Sequence, residues 1–258
     1  MGPADLPEHE LARTRSFTRR GGRMPQRHRR AFAEHGSTYV LDVPRQGVGT
    51  TVVPGSTLDL PSVFGRVAPV VVEIGSGSGD AIVYAAQQSP ERDFVALEVW
   101  RPGLAQTIAQ AVHAGVRNVR LVEADAAQAL PELFGPESIS ELWTFFPDPW
   151  PKSKHHKRRL VTPEFADKVS KVLAPQGVWR LATDWADYAW QMRDVIEGCP
   201  GLLNPYAGRL AWPGDEDRDP EGGRGGFAPR FDGRVETRFE TKGLQVDRFV
   251  RDVEARRA

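Results

Sequence analysis

Four acidic residues stand where apolar runs end: Glu73 in VVVEI, Glu98 in FVALEV, Asp125 just after VRLVEA and Asp148 just after ELWTFF. Glu73 leads into a glycine loop in which Gly75, Gly77 and Gly79 let the backbone turn sharply and approach a ligand closely, which a Cβ would prevent. No Gly-Lys-Ser/Thr follows, so the loop is not a P-loop. A dinucleotide fingerprint needs its third glycine where this chain has Asp80, so the spacing opposes that class too. Asp148 lies between Pro147 and Pro149, which fix the local backbone and offer the carboxylate no N–H. Trp150 and the run Lys152 to Arg159 come next, with five cations and two histidines in KSKHHKRR. Phosphate oxygens attract such a cluster and an indole stacks on a base, although a charge run taken alone is ordinarily a solvated face. His155 and His156 are not read as metal ligands, because adjacent residues rarely converge on one ion and no Cys or acid triad accompanies them.

These residues need a scaffold, and the sequence spells one. The runs VVVEI, FVALEV, VRLVEA, ELWTFF and VWRLAT alternate with segments of helical spacing at residues 80–88, 102–114, 126–134 and 163–173. Strands and helices alternating at this interval predict βαβ units and a doubly wound α/β fold. Each acid then falls at the carboxyl end of a strand, the edge where ligands bind in open α/β sheets, and Asp184 ends the fifth strand in the same way. Residues 212–230 are dense in Gly, Pro and charge and predict a flexible insertion; the alternation over 234–250 predicts a closing strand. Residues 1–34 are polar and carry Arg13, Arg15, Arg19, Arg20, Arg23, Arg27, Arg29 and Arg30, so they read as a mobile basic arm ahead of one domain spanning 35–258.

Composition sets the outer bounds. A chain of 258 residues, 40% apolar with seven Trp, builds one main core. No stretch approaches the ~20 apolar residues that span a bilayer. Asp5, Glu8 and Glu10 with no apolar h-region argue against a signal or transit peptide, so the expected location is the cytoplasm. Cys199 is the single cysteine, which excludes an internal disulfide and cysteine-rich metal sites. Net charge is zero, so the two basic clusters, not the bulk, point to an anionic partner. The sequence leaves monomer and homodimer both open.

The acid-x-Gly-x-Gly-x-Gly loop resembles that of class I methyltransferases using S-adenosylmethionine. RSFTRRGGRM, VEIGSGSG, FVALEV, FPDPWPKSKHHKRR, LATDW and TRFETKG occur in order over nearly the whole chain, and together they resemble the bacterial tRNA (guanine-N7-)-methyltransferase family. The resemblance implies a mostly parallel seven-stranded sheet and methylation of a guanine in the tRNA variable loop. It implies that Glu73, Gly75, Gly77, Glu98, Asp125 and Asp148 hold S-adenosylmethionine, with Asp148 also the catalytic acid. Lys152, Asp184, Thr237, Arg238, Phe239 and Glu240 match substrate-binding positions, and Lys154, His155, His156, Lys157, Arg158 and Arg159 the RNA-contacting segment. A carboxylate such as Glu73 suits a sulfonium ligand as it would not suit a pyrophosphate. Two other readings stay open at this point: methylation of an exocyclic base amine, since FPDPW resembles an Asp-Pro-Pro-aromatic motif without its second consecutive proline, and a non-catalytic RNA-binding protein.

Overall fold

The computed structural model describes residues 24–47, 49–208, 225–236, 240 and 249–258. In chain order the elements are α1 (Gln26–Tyr39), α2 (Leu60–Phe64), β1 (Val70–Ile74), α3 (Asp80–Gln88), β2 (Asp93–Glu98), α4 (Arg101–Ala114), β3 (Val119–Glu123), α5 (Ala126–Leu133), β4 (Ile139–Phe145), a 3-10 turn (Ser153–Arg158), α6 (Pro163–Val172), β5 (Leu173–Thr183), α7 (Ala186–Glu197), β6 (Leu202–Leu203) and β7 (Arg251–Arg257). The strands form one sheet of order β3-β2-β1-β4-β5-β7-β6. Pairs from β3 through β5 are parallel; β7 runs antiparallel to both of its neighbours.

Every residue of β1 and β2 is buried, as a sheet covered on both faces requires. The period of two divides them. Val71, Phe94 and Ala96 pack with Ile82, Leu104 and Ile108 of α3 and α4, whereas Val70, Val72, Ile74, Val95 and Leu97 pack with Leu130, Phe165 and Trp190 of α5, α6 and α7. Each fully buried aliphatic or aromatic side chain contributes ~1.5–3 kcal/mol. Strand order reverses between β1 and β4, and the crevice outside their carboxyl ends is the ligand position of open α/β sheets.

Two expectations change. The basic arm expected over 1–34 is helical from Gln26: α1 buries His28, Gly36 and Tyr39, the Tyr39 hydroxyl donates to the Val116 carbonyl at 2.8 Å, and Leu41 N–H donates to Leu121 O at 2.8 Å. That last contact covers the edge of β3, so the segment closes a sheet edge. The insertion expected over 212–230 is packed where it is described: Phe227 is 2% exposed with its ring centroid 5.0 Å from that of Trp190, and Arg193 Nε donates to Gly225 O at 2.9 Å. Residues 209–224 lie outside the described residues. Of the closing strand expected over 234–250, residues 237–239 and 241–248 lie outside the described residues; the last described strand is β7, Arg251–Arg257. Cys199 is buried as a free thiol, and no helix among the described residues is long and apolar enough to cross a membrane.

Candidate active site

The glycine loop begins where β1 ends. Gly75, Gly77 and Gly79 all have positive φ, at 73°, 57° and 85°, a region that disfavours side chains. A Cβ at Gly75 or Gly77 would project into open space, while one at Gly79 would lie 2.4 Å from Thr107 Oγ1. The first two therefore leave room for a ligand and the third lets α3 approach α4. Gly103, on the first turn of α4, completes the cradle, because a Cβ there would sit 2.2 Å from the Gly77 carbonyl. Sequence reading missed it: a helical glycine carries no signal of what it faces.

Glu98, at the end of β2, ties the loop down. One carboxylate oxygen accepts from Gly77 N–H at 2.7 Å, the other from Val99 N–H at 2.7 Å and Trp100 N–H at 2.8 Å. Asp125 caps the N-terminus of α5, accepting from Ala127 N–H at 3.1 Å, and its own N–H donates to Thr50 O at 2.9 Å. Glu98, Asp125, Asp148, Gly75 and Gly77 line one cleft with about 170 Å³ of interior space. Glu73 and Asp184 line an adjoining recess that shares Gly75, Gly77, Trp100 and Asp148 with it. Trp100 stands on both walls and was not among the expected site residues.

Glu73 is 4% exposed, and its Oε2 has no hydrogen-bond partner among the described residues. Burial, then the neighbouring Glu98 and Asp80 carboxylates, push its carboxyl up to about 8, so at neutral pH it holds a proton. Asp148 lies between two non-glycine residues in the left-handed region, Phe146 at φ 51° and Trp150 at φ 43°. Such conformations cost ~1–3 kcal/mol each and persist where the surroundings hold them. Phe146 N–H donates to Ala182 O at 2.8 Å, and the Arg158 guanidinium lies 3.8 Å from the centroid of the Trp150 ring.

Lys152, Lys154 and Lys157 are exposed, and His155, His156 and Arg158 are half-buried, so this turn presents cations beside the cleft. Arg159 is not with them. Its side chain is 1% exposed and paired with Asp187 at 2.7 Å, unlike the rest of the run expected to contact RNA. Glu240 is buried, 2.6 Å from Arg234 and 3.5 Å from Arg230. Thr237, Arg238 and Phe239 lie outside the described residues. Arg234 lines the recess with Asp148 and Asp184, another position the sequence did not mark.

A sheet of this order with one reversed strand, a glycine loop after β1 and acids at the carboxyl ends of β1, β2, β3 and β4 defines a class I methyltransferase fold. The 16S rRNA methyltransferase KamB shares it, with a TM-score of 0.51 and 19% identity over 83% of this chain and 100% of that one. Residues 67–205 match the family model described as "Putative methyltransferase". The tRNA (guanine-N(7)-)-methyltransferase of Cutibacterium acnes is 47% identical over 94% of this chain and 82% of its own length. That of Paenarthrobacter aurescens is 43% identical over 94% and 91%. The chain belongs to the tRNA (guanine-N7-)-methyltransferase family.

Proposed function

We propose that this chain transfers the methyl group of S-adenosylmethionine to N7 of a guanine in the variable loop of tRNA. The observation that carries the reading is the single cleft at the β1–β4 switch point, walled by Glu98, Asp125 and Asp148 and continuous with the Glu73 recess, with exposed Lys152, Lys154 and Lys157 beside it. The residues fit the donor. The unpartnered Oε2 of Glu73 suits its ammonium group, Glu98 its ribose, Asp125 its adenine end, and the open space over Gly75 and Gly77 its close approach. When bound, that donor supplies an electrophilic methyl on a sulfonium.

Guanine N7 already holds an in-plane lone pair, so no side chain has to remove a proton first. The chain's task is to orient and to stabilise charge. Holding two reactants in line contributes up to ~7–11 kcal/mol in the best intramolecular cases. Positive charge arrives on the purine as the bond forms, and Asp148, fixed between its prolines, is the carboxylate placed to stabilise it. Asp184, on the same recess, accepts from guanine N1–H and the exocyclic amine. Lys152 holds a phosphate or the base O6. In A-form RNA the N7 edge lies in a deep, narrow groove, so a loop nucleotide is the accessible target.

Incubating the enzyme with bulk tRNA and tritiated donor, then digesting and identifying the labelled nucleoside, tests this. Label should appear in N7-methylguanosine at an aniline-sensitive position, and Asp148→Asn should slow the single-turnover rate by about 10²-fold or more, as the loss of one oriented electrostatic group does. Label in N6-methyladenosine, or an unimpaired Asp148→Asn, would sink it.

A further inference from the structure

The cationic run ends on a residue that turns inward. Arg159 Nε donates to the Pro149 carbonyl at 2.8 Å, Nη1 to Gln191 Oε1 at 2.6 Å and Nη2 to Asp187 Oδ2 at 2.7 Å. Its Nη2 also lies 3.1 Å from His156 Nε2, and its guanidinium lies 4.8 Å from the centroid of the Tyr188 ring. Tyr188 is fully buried. These partners are all internal, and a guanidinium held this way has given up its fork geometry for phosphate.

Pro149 is the carbonyl immediately after Asp148, inside the loop whose flanks, Phe146 and Trp150, are both left-handed. Such a loop keeps its shape only if held at both ends. The Phe146 N–H bond to Ala182 holds the entry. Pro149 has no N–H, so its carbonyl is the one polar backbone group that residue offers, and Arg159 takes it. Asp187 and Gln191 belong to α7, so the guanidinium ties the Asp148 loop to a packed helix.

We propose that Arg159 is a positioning residue: it fixes the Asp148 loop against α7 and does not contact RNA. The role assigned to its target rests on the methyl-transfer reading above. Two measurements separate the alternatives, the dependence of tRNA affinity on salt and the single-turnover methylation rate with tRNA and donor saturating. Arg159→Met and Arg159→Lys should keep the wild-type salt slope and lose about 10²-fold in rate, the scale of a misplaced reacting group; Lys fails because it cannot bridge three acceptors. Lys157→Ala, removing a neighbouring exposed cation, should lower the slope by about 0.7–0.9. Asp187→Asn leaves the arginine in place and serves if the Arg159 variants do not fold. It should reduce the rate at an unchanged slope. Arg159 variants that lose salt slope while keeping their rate, or Asp187→Asn that tightens tRNA binding by freeing the guanidinium, overturn the proposal. Wild-type methylation of another nucleoside would sink the functional reading alone, since the slopes, a binding measurement, still decide on Arg159.

Discussion

Glu73→Gln tests the electrostatics of the cleft most directly. Glutamine keeps the shape and removes a carboxyl that is buried beside Glu98 and Asp80 and raised from 4.5 to about 8. The unfolded chain loses this proton near the lower value and the native chain near the higher. Between them the native state binds more protons, so this group's contribution to stability is full below the lower value and is lost as pH rises through the window. From pH 5 to pH 8 the loss is on the order of 3 kcal/mol at ~1.4 kcal/mol per unit. With ~2–4 °C per kcal/mol for a domain of this size, the wild-type Tm should fall by about 10 °C relative to Glu73→Gln. Other titrations are common to both proteins and cancel in the difference. Thermal melts of the pair across this range, with and without S-adenosylmethionine, measure it. Saturating donor should shrink the gap, because its ammonium lets Glu73 ionise in place. Parallel wild-type and variant curves across the window would refute the assignment of a buried, protonated Glu73.

Three further outcomes follow from the packing. Gly103→Ala, whose Cβ would meet the Gly77 carbonyl at 2.2 Å, should cost ~1–3 kcal/mol and weaken donor binding in titration calorimetry while leaving tRNA affinity near wild type. Phe227→Ala should cost ~3–5 kcal/mol in chemical denaturation, because the residue is 2% exposed against Trp190; a surface-like loss of a few tenths would return this stretch to the expected loose insertion. Deleting residues 1–23 should weaken tRNA binding and spare donor binding, whereas deletion to residue 34 should also lower Tm, since it cuts through α1 and uncovers the β3 edge.

What the sequence shows depends on where the chemical signal lies. Helix α3 at Asp80–Gln88 matches expectation because a glycine turn and a 3.6-residue period agree locally. α1 hides, since its buried positions are His28, Gly36 and Tyr39 within an arginine-rich stretch. β7 hides for a related reason: it reads RDVEARR, and its burial depends on partners distant in sequence, Arg234 for Asp252 at 2.9 Å and Arg180 for Glu254. α7 was not read either, although it buries Tyr188, Trp190 and Met192. In the site, the strand-end acids could be located from pattern alone because a parallel sheet delivers every strand's carboxyl end to one edge. Their partners could not. The three backbone N–H groups on Glu98 come from two separate turns, and nothing in the residue types of KSKHHKRR distinguishes buried Arg159 from its exposed neighbours.

The cleft's acids are stabilised by different means, and this separates their roles. Backbone N–H groups hold Glu98, a helix N-terminus holds Asp125 and a proton neutralises Glu73. Methyl transfer changes the donor at one place only: sulfur loses its positive charge and the ammonium keeps its own. A residue serving the ammonium should therefore treat donor and demethylated product alike, and a residue facing the transferred charge should not. With the roles proposed above, Glu73→Gln weakens S-adenosylmethionine and S-adenosylhomocysteine by the same factor, while Asp148→Asn weakens the sulfonium ligand more and narrows the ratio of the two dissociation constants. Titration calorimetry of both ligands against both variants reads that ratio. A ratio unchanged in Asp148→Asn would place its carboxylate away from the sulfonium, so that it could act only on the purine side of the transfer.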